Sequence, residues 1–465
     1  MSLPSSIDYT KILPIAAGNP RAMRRTFLPV NGQSFSAAGN NIVRIEISAS
    51  QFWDPLHSYL RFDVTSGANT CGADFGGGHG FLRRVRLEQA GNVIMDTNRY
   101  DRLLSAILLP CQSGVDSQAH RSITEMQTFG NSVAAVAINT PAAAAVANGG
   151  YLTAIANDST QIAANATTQY CIPIVGGLFS QSKLVPLQLL SSSPLTIELE
   201  LSPAVDAMVS AGGGNADYTM SNIRYIASLV DVSPDVDAQV RMVQEMSGGH
   251  IVINSTDYTH FNGNIPANAV GMQAINVPAR RKSMKSLLWV GASQTALNFV
   301  NYRNSFGGGI NLNSFHAKIG SINFPATPVE CNFNTAGPGG TALNGRGEAL
   351  MELSKCFGTT GSVVGLGQLN RMNYAIRTGL AAEGRVAIST PFQFAPMGLD
   401  LEAFQRTAIE SGINTADRST PITLVLDVGT DAAGAAIAEA INIDCYVSFD
   451  SLYYIDSTGI ISVSH

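Results

Sequence analysis

The chain has 465 residues and a formal net charge of −6, with 45% hydrophobic but only 13% charged residues, 44 glycines and 20 prolines. That length exceeds one ordinary domain and buries roughly 75% of the unfolded surface, so no disulfide or metal staple is required. Charge at about half the ~25% usual in globular chains points to a molecule packed against copies of itself, because interface cores are depleted in charge. With a negative net charge, non-specific attraction to nucleic acid is not built into the molecule as a whole. Composition alone also admits a secreted β protein with Gly-rich loops.

In chain order, the opening MSLPSSIDYTKILPIAAGNPRAMRR has no long apolar core behind basic residues and is not expected to be a signal peptide. Arg21, Arg24 and Arg25 stand among Pro14, Pro20 and Pro29, which predicts an extended arm over residues 1–30. Its arginines are tether candidates for a neighbour's carboxylates, since a genome-packaging arm carries longer charge runs. Short segments of period two follow: Val43 to Ile47, Leu60 to Val64, Arg84 to Glu88 and Leu195 to Leu201. Each can turn one face to a core and the other to solvent or a neighbour, so sandwiches or barrels are predicted.

Helical signals are few. Tyr100 to Leu109 is one and Leu399 to Ser411, stopped by Gly412, another. Ser233-Pro234-Asp235 reads as an N-cap, a first-turn proline and an acid, with Gly248-Gly249 as the stop. The long Ala/Asn/Thr-rich stretch at residues 131–168 is read as an inserted loop. No run reaches the ~18 apolar residues of a membrane-spanning helix. Cys71, Cys111, Cys171, Cys331, Cys356 and Cys445 form no close pair and are read as free thiols of a reducing compartment.

The most informative feature is a repeat. Phe75-Gly76-Gly77-Gly78 recurs as Phe306-Gly307-Gly308-Gly309, Pro194 to Leu201 (PLTIELEL) as Pro421 to Val428 (PITLVLDV), and Asn222-Ile223 as Asn442-Ile443. The offsets are 231, 227 and 220, in the same order, which predicts two copies of one β domain. The domains expected are an arm (1–30), a first β domain (31–232), a linker helix (233–250) and a second β domain (251–465), each half large enough for one eight-stranded sandwich plus loops.

Catalytic signatures are missing. The sequence holds no G-x-S-x-G, phosphate-loop, H-E-x-x-H or dinucleotide motif. The seven histidines are scattered, and the glycine triplets lead into strand-like sequence, where a tight corner is their expected role. Asp400 and Glu402 are read as acids opening the Leu399–Ser411 helix. The chain is therefore expected to be no enzyme, with no cofactor and no metal. A second basic cluster, Arg280, Arg281, Lys282 and Lys285, is a candidate interface or shell-lining patch.

Specific stretches resemble the double jelly-roll major capsid proteins of tailless icosahedral viruses. His57 to Phe62, Phe81 to Leu87 and Asn98-Arg99-Tyr100-Asp101 look like the first roll of that family. Leu399 to Glu402, Glu410 to Thr415 and Asp450 to Asp456 look like the end of the second. The resemblance implies an all-β fold of two tandem eight-stranded jelly rolls with a few short helices and long loops. It implies a virion structural protein, assembled inside the host cell, whose homotrimers form pseudo-hexagonal capsomers of an icosahedral shell. Implied partners are the chain itself, neighbouring capsomers, and minor capsid, penton or cement proteins, with an internal membrane or the genome reached through the arm. The alternatives are a virion spike or fibre protein and a carbohydrate-binding tandem β-sandwich protein.

Overall fold

The computed structural model describes residues 20–112, 120–121, 123–125, 161–190, 193–209, 217–232, 234–293, 304–305, 312–331, 347–360, 369, 374, 395–403, 411–417, 421–429 and 440–465. Residues 1–19 of the expected arm, residues 131–160 of the insertion and the second glycine triplet lie outside them.

The strands of the first half are β1 (Arg21–Phe27), β2 (Ser34–Ser36), β3 (Ile42–Ile47), β4 (Phe52–Ser66), β5 (Cys71–Ala73), β6 (Leu82–Gln89), β7 (Asn92–Asn98), β8 (Gln161–Ile162), β9 (Thr167–Ile172), β10 (Val185–Pro186), β11 (Leu195–Leu201), β12 (Met208–Val209) and β13 (Tyr218–Asp231). Those of the second are β14 (Ile251–Ile265), β15 (Gly271–Val277), β16 (Met284–Ser293), β17 (Leu312–Ile319), β18 (Ile322–Glu330), β19 (Met397–Asp400), β20 (Ile422–Val428), β21 (Ile441–Ile455) and β22 (Ile461–Ser464).

In the first half one sheet runs β1-β13-β4-β10, with β2 on β13 and β9 on β4; its companion runs β3-β11-β6-β7. The second half repeats this order as β14-β21-β16-β19, with β22 on β21, and β15-β20-β17-β18. Every neighbour within a sheet is antiparallel and most come from distant parts of the chain, as in a Greek-key jelly roll. A small third sheet, β12-β5-β8, caps the first roll. The sequence repeat falls on equivalent strands: Leu195–Leu201 is β11 where Ile422–Val428 is β20, and Asn222-Ile223 lies in β13 where Asn442-Ile443 lies in β21.

The period-two pattern acts as expected. In β3 and β20 burial alternates residue by residue, so apolar side chains enter the space between sheets. Each core holds one buried tryptophan: Trp53 meets Phe179 edge-on at 5.7 Å, and Trp289 meets Phe315 edge-on at 5.6 Å. The linker helix occupies Pro234–Met246, and Gly248 and Gly249 end it with φ of +76° and +88°, a backbone that disfavours any Cβ. Residues 100–112 are also helical, with Leu103–Leu108 wound as a π-helix.

One helix expectation is overturned. Leu399 and Asp400 belong to β19, which pairs with Ser286–Trp289 of β16, and residues 401–403 are not helical; residues 404–410 lie outside the described residues. A free sheet edge captured a segment whose local acids suggest a helix start, as tertiary pairing routinely overrides weak propensity. Asp400 accepts the backbone N–H of Glu402 at 3.1 Å instead of facing a helix terminus. Of the expected arm, residues 21–27 form the extended strand β1, bonded to β13 from Arg21↔Asp231 to Phe27↔Tyr225.

Candidate assembly interface

The two rolls are joined by a buried polar seam. The helical stretch after β7 lays Arg102, 1% exposed, across the outer face of the β14-β21-β16 sheet. Its guanidinium donates to Asp444 Oδ2 at 2.7 Å and to the carbonyls of Asn304 at 3.1 Å and Gly291 at 3.0 Å. Asp444 is shared with His260 Nε2 at 2.8 Å. Burial alone would raise the Asp444 carboxyl, but the His260 hydrogen bond and the Arg102 and Arg99 charges hold it well below the usual carboxylate range. Tyr446 donates its hydroxyl proton to the Arg99 carbonyl at 3.0 Å, and Arg99 donates to Asn304 Oδ1 at 3.2 Å.

Around this centre lie further ties between the rolls. Gln89, fully buried, donates to the Gly459 carbonyl at 2.8 Å and accepts from the Ile461 N–H at 2.7 Å, clamping the β6–β7 hairpin to the β21–β22 turn. Ser305 donates to Asp74 Oδ2 at 3.2 Å. Burial lifts Asp74 to about 7 against the pull of the Gly76 N–H and Ser305. Ser255 donates to the Gly177 carbonyl at 2.6 Å, and Gly177, at φ +49°, leaves no room for a side chain beside Met95 and Tyr453. The seam explains why β21 is buried on both faces from Ile443 to Phe449: roll 1 covers the side that solvent would otherwise reach.

The first glycine triplet lies beside this seam. Gly77 has φ +55° and begins the 3-10 turn Gly77–Phe81 that leads into β6. Gly78 donates to Glu125 Oε2 at 2.7 Å, and Arg121 in turn donates to Glu125 Oε1 at 2.7 Å, so an internal carboxylate takes the place an anionic ligand would use. Among the described residues no cluster of His, Cys, Asp and Glu has a metal-holding arrangement.

The basic residues singled out in the sequence separate. Arg21, Arg24 and Arg25 are exposed on β1; Arg24 lies 5.9 Å from the Tyr59 ring centre and Arg25 5.1 Å from that of Phe27. In the second cluster, Arg281 stacks 4.1 Å over Phe449 and donates to Thr259 at 2.9 Å. Lys285 lies between Glu402 at 3.1 Å and Asp450 at 3.5 Å. Arg280 and Lys282 are exposed, and Lys282 donates to Ser464 at 3.1 Å. The four do not form one surface patch: alternation along the strand entry sends them to different partners.

Sequence reasoning passed over Arg102, Asp444 and Asn304, the residues that join the rolls. A signal was present, since charges inside the otherwise apolar runs 100–111 and 441–447 require partners when buried.

No family model matches the chain, and no curated protein matches it in sequence. Solved structures do match. The PBCV-1 virus capsid, in a quasi-atomic model, is similar at 13% identity and TM-score 0.56, covering 98% of this chain and 99% of that one. The Faustovirus major capsid protein is similar at 8% identity and TM-score 0.51, covering 95% and 92%. The mavirus major capsid protein is similar at 9% identity and TM-score 0.50, covering 100% and 95%. In its described residues the chain thus has the double jelly-roll fold of these viral capsid proteins.

Proposed function

We propose that this chain is a major capsid protein, a structural component of a virion, whose trimers form pseudo-hexagonal capsomers of an icosahedral shell. The observation that carries the reading is the pairing of two topologically identical rolls by a buried seam, matched end to end by viral capsid proteins. Three such pairs make a ring of six similar rolls, and closed symmetry gives the charge-poor flanks a use as interface. Many modest contacts then sum to a stable shell.

Within this reading, exposed Arg21, Arg24 and Arg25 and residues 1–19 before them are the tether to neighbouring capsomers. Arg280 and Lys282 remain candidates for shell lining, whereas Arg281 and Lys285 act inside the second roll. Minor capsid, penton or cement proteins, and a membrane or genome beneath the shell, are partners that the arm and outer loops would contact.

Native mass measurement with electron microscopy tests the reading. A compact trimer with a six-sided outline is expected, and a chain that stays monomeric at high concentration overturns it. Deleting residues 1–19 should leave trimers intact and impair shell formation; loss of the trimer itself would refute the tether role.

A further inference from the structure

The cover that roll 1 lays over the outer face of the β14-β21-β16-β19 sheet is incomplete. Its helical stretch is described as far as Gln112, and from the other side the Gly347–Cys356 helix packs on β19. Between them lies a cavity of about 560 Å³, within the roughly 300–1,000 Å³ of small-molecule sites. Gln112 and Asn254 line it and are exposed, which marks where it opens. Ser255 ties its edge to roll 1 by donating to the Gly177 carbonyl at 2.6 Å.

The floor follows from strand register. Tyr258, Ser448, Ser286 and Asp400 lie opposite one another across β14, β21, β16 and β19. Val447 and Phe449 are buried in the core, so alternation turns this row outward. The hydroxyls of Ser286 and Ser448 meet at 2.6 Å. In the next row Asp450 lies opposite Thr256, and the register shift between Met284 and Ser286 leaves Lys285 at a bulge. There its ammonium reaches Glu402 at 3.1 Å and Asp450 at 3.5 Å. Ser283 donates to Asp450 Oδ2 at 2.7 Å and Ser411 to Glu402 Oε1 at 3.1 Å, which fixes both carboxylates in place. Donors and acceptors therefore alternate along the floor: the carboxylates accept, the ammonium donates, and the hydroxyls between them do both.

This pattern selects a ligand class. Asp400, Glu402 and Asp450 outnumber Lys285 and Lys355 on the walls, and Lys355 is also engaged by Glu352, so an anion is repelled. An organic cation meets Lys285 in the midst of the acids. An apolar ligand strips water from these groups without replacing its hydrogen bonds. A neutral molecule whose hydroxyls both donate and accept satisfies both kinds of partner, and the rings of Tyr258 and Phe357 give the C–H face of a sugar an apolar wall. Laying Asn222-Ile223 on Asn442-Ile443 puts Val230 where Asp450 stands, so a scaffold role common to both rolls does not require that carboxylate.

We infer that this cavity binds a neutral sugar of one or two rings, held by the Ser286 and Ser448 hydroxyls and by the Lys285, Glu402 and Asp450 charges beside them. The site belongs to the single chain, is additional to the assembly reading and does not depend on it.

Saturation-transfer NMR and calorimetry on the full chain test it, with glucose, galactose and N-acetylglucosamine as probes and spermidine and inorganic phosphate as charged controls. At least one sugar should bind saturably with a dissociation constant of about 1 mM or lower, and neither control should compete with it. The methyl glycoside of that sugar separates two sources: equal binding points to the end residue of a glycan chain, and loss of binding to a free sugar. Ser448→Met puts bulk on the floor and should weaken binding at least about tenfold. Asn254→Trp narrows the mouth from an exposed position and should do the same if Ser448→Met does not fold. No saturation by any sugar at about ten times that concentration, competition by spermidine or phosphate, or unchanged affinity in both variants overturns the inference. Native mass measured alongside reports on the assembly reading separately.

Discussion

The two rolls share a strand order yet treat their outer faces differently, most clearly on the β3-β11-β6-β7 sheet and its counterpart. In roll 1, Glu198 at the centre of β11 lies opposite Arg44 of β3 and Arg86 of β6. Arg44 donates to it at 2.9 Å, Arg86 reaches it at 3.7 Å and Glu88 at 2.7 Å, and Arg84 donates to Asp96 at 2.7 Å. In roll 2 the same three positions are Ala274, Val425 and His316, beside Met272 at 76% exposure. A repeated scaffold keeps its inward residues, because both cores must be filled at crystal-like density. Its outward residues are free to diverge, and the divergence marks which faces meet water and which meet protein. The β21 sheet makes the same point, with Asp444 buried on its second face where β13 has the half-buried Arg224.

The comparison can be broken first at the seam. Arg102→Ala should cost about 3–5 kcal/mol, because buried Asp444 loses its guanidinium partner and keeps only the His260 contact, and the Asn304 and Gly291 carbonyls lose their donor. Arg102→Met with Asp444→Leu should recover most of that loss in urea denaturation, if the seam gives specificity more than stability. The cores come next: Leu199→Ala in β11 and Leu426→Ala in β20 occupy equivalent, fully buried positions. Each should cost about 2–5 kcal/mol, and values far apart would show that the two cores do not collapse alike.

Titration separates the seam's acids. Asp74 has a folded pKa raised to about 7, so its favourable contribution is complete below its unfolded pKa and is lost as pH rises through about 7. Asp444 is depressed, so its contribution is present above its unfolded pKa and lost as pH falls through its lower folded one. Thermal unfolding followed against pH should show Asp74→Asn flattening the decline in stability from pH 4 to pH 8 while leaving the acid limb intact. An unchanged slope would remove Asp74 from the account. The smallest effect is expected on the outer charge ladder, where Glu198→Val imports the roll 2 residue at a buried position whose partner Arg44 is 55% exposed. It should cost no more than about 1 kcal/mol in denaturant unfolding, since partly solvated pairs contribute little.

Much of this could be read from residues alone. Alternation in Val43 to Ile47 and Leu195 to Leu201 is a local property, because side chains on a strand point to opposite faces with period two. The repeat of PLTIELEL as PITLVLDV requires two domains whatever their shape, and Gly248-Gly249 stops the linker helix through backbone sterics that involve no distant residue. Leu399-Asp400 could not be read this way: its strand exists because β16 offers a free edge, and an edge is made only by folding. Nor could Arg281 and Lys285, neighbours in the chain, be seen to part, one to the Phe449 ring and the other to Glu402 and Asp450. The inward faces and the duplication were legible in the residues, since these follow from short-range periodicity and internal likeness. Only the tertiary structure decided that Arg102 meets Asp444 across 342 positions of chain, because which outer face is covered depends on how two finished rolls pack.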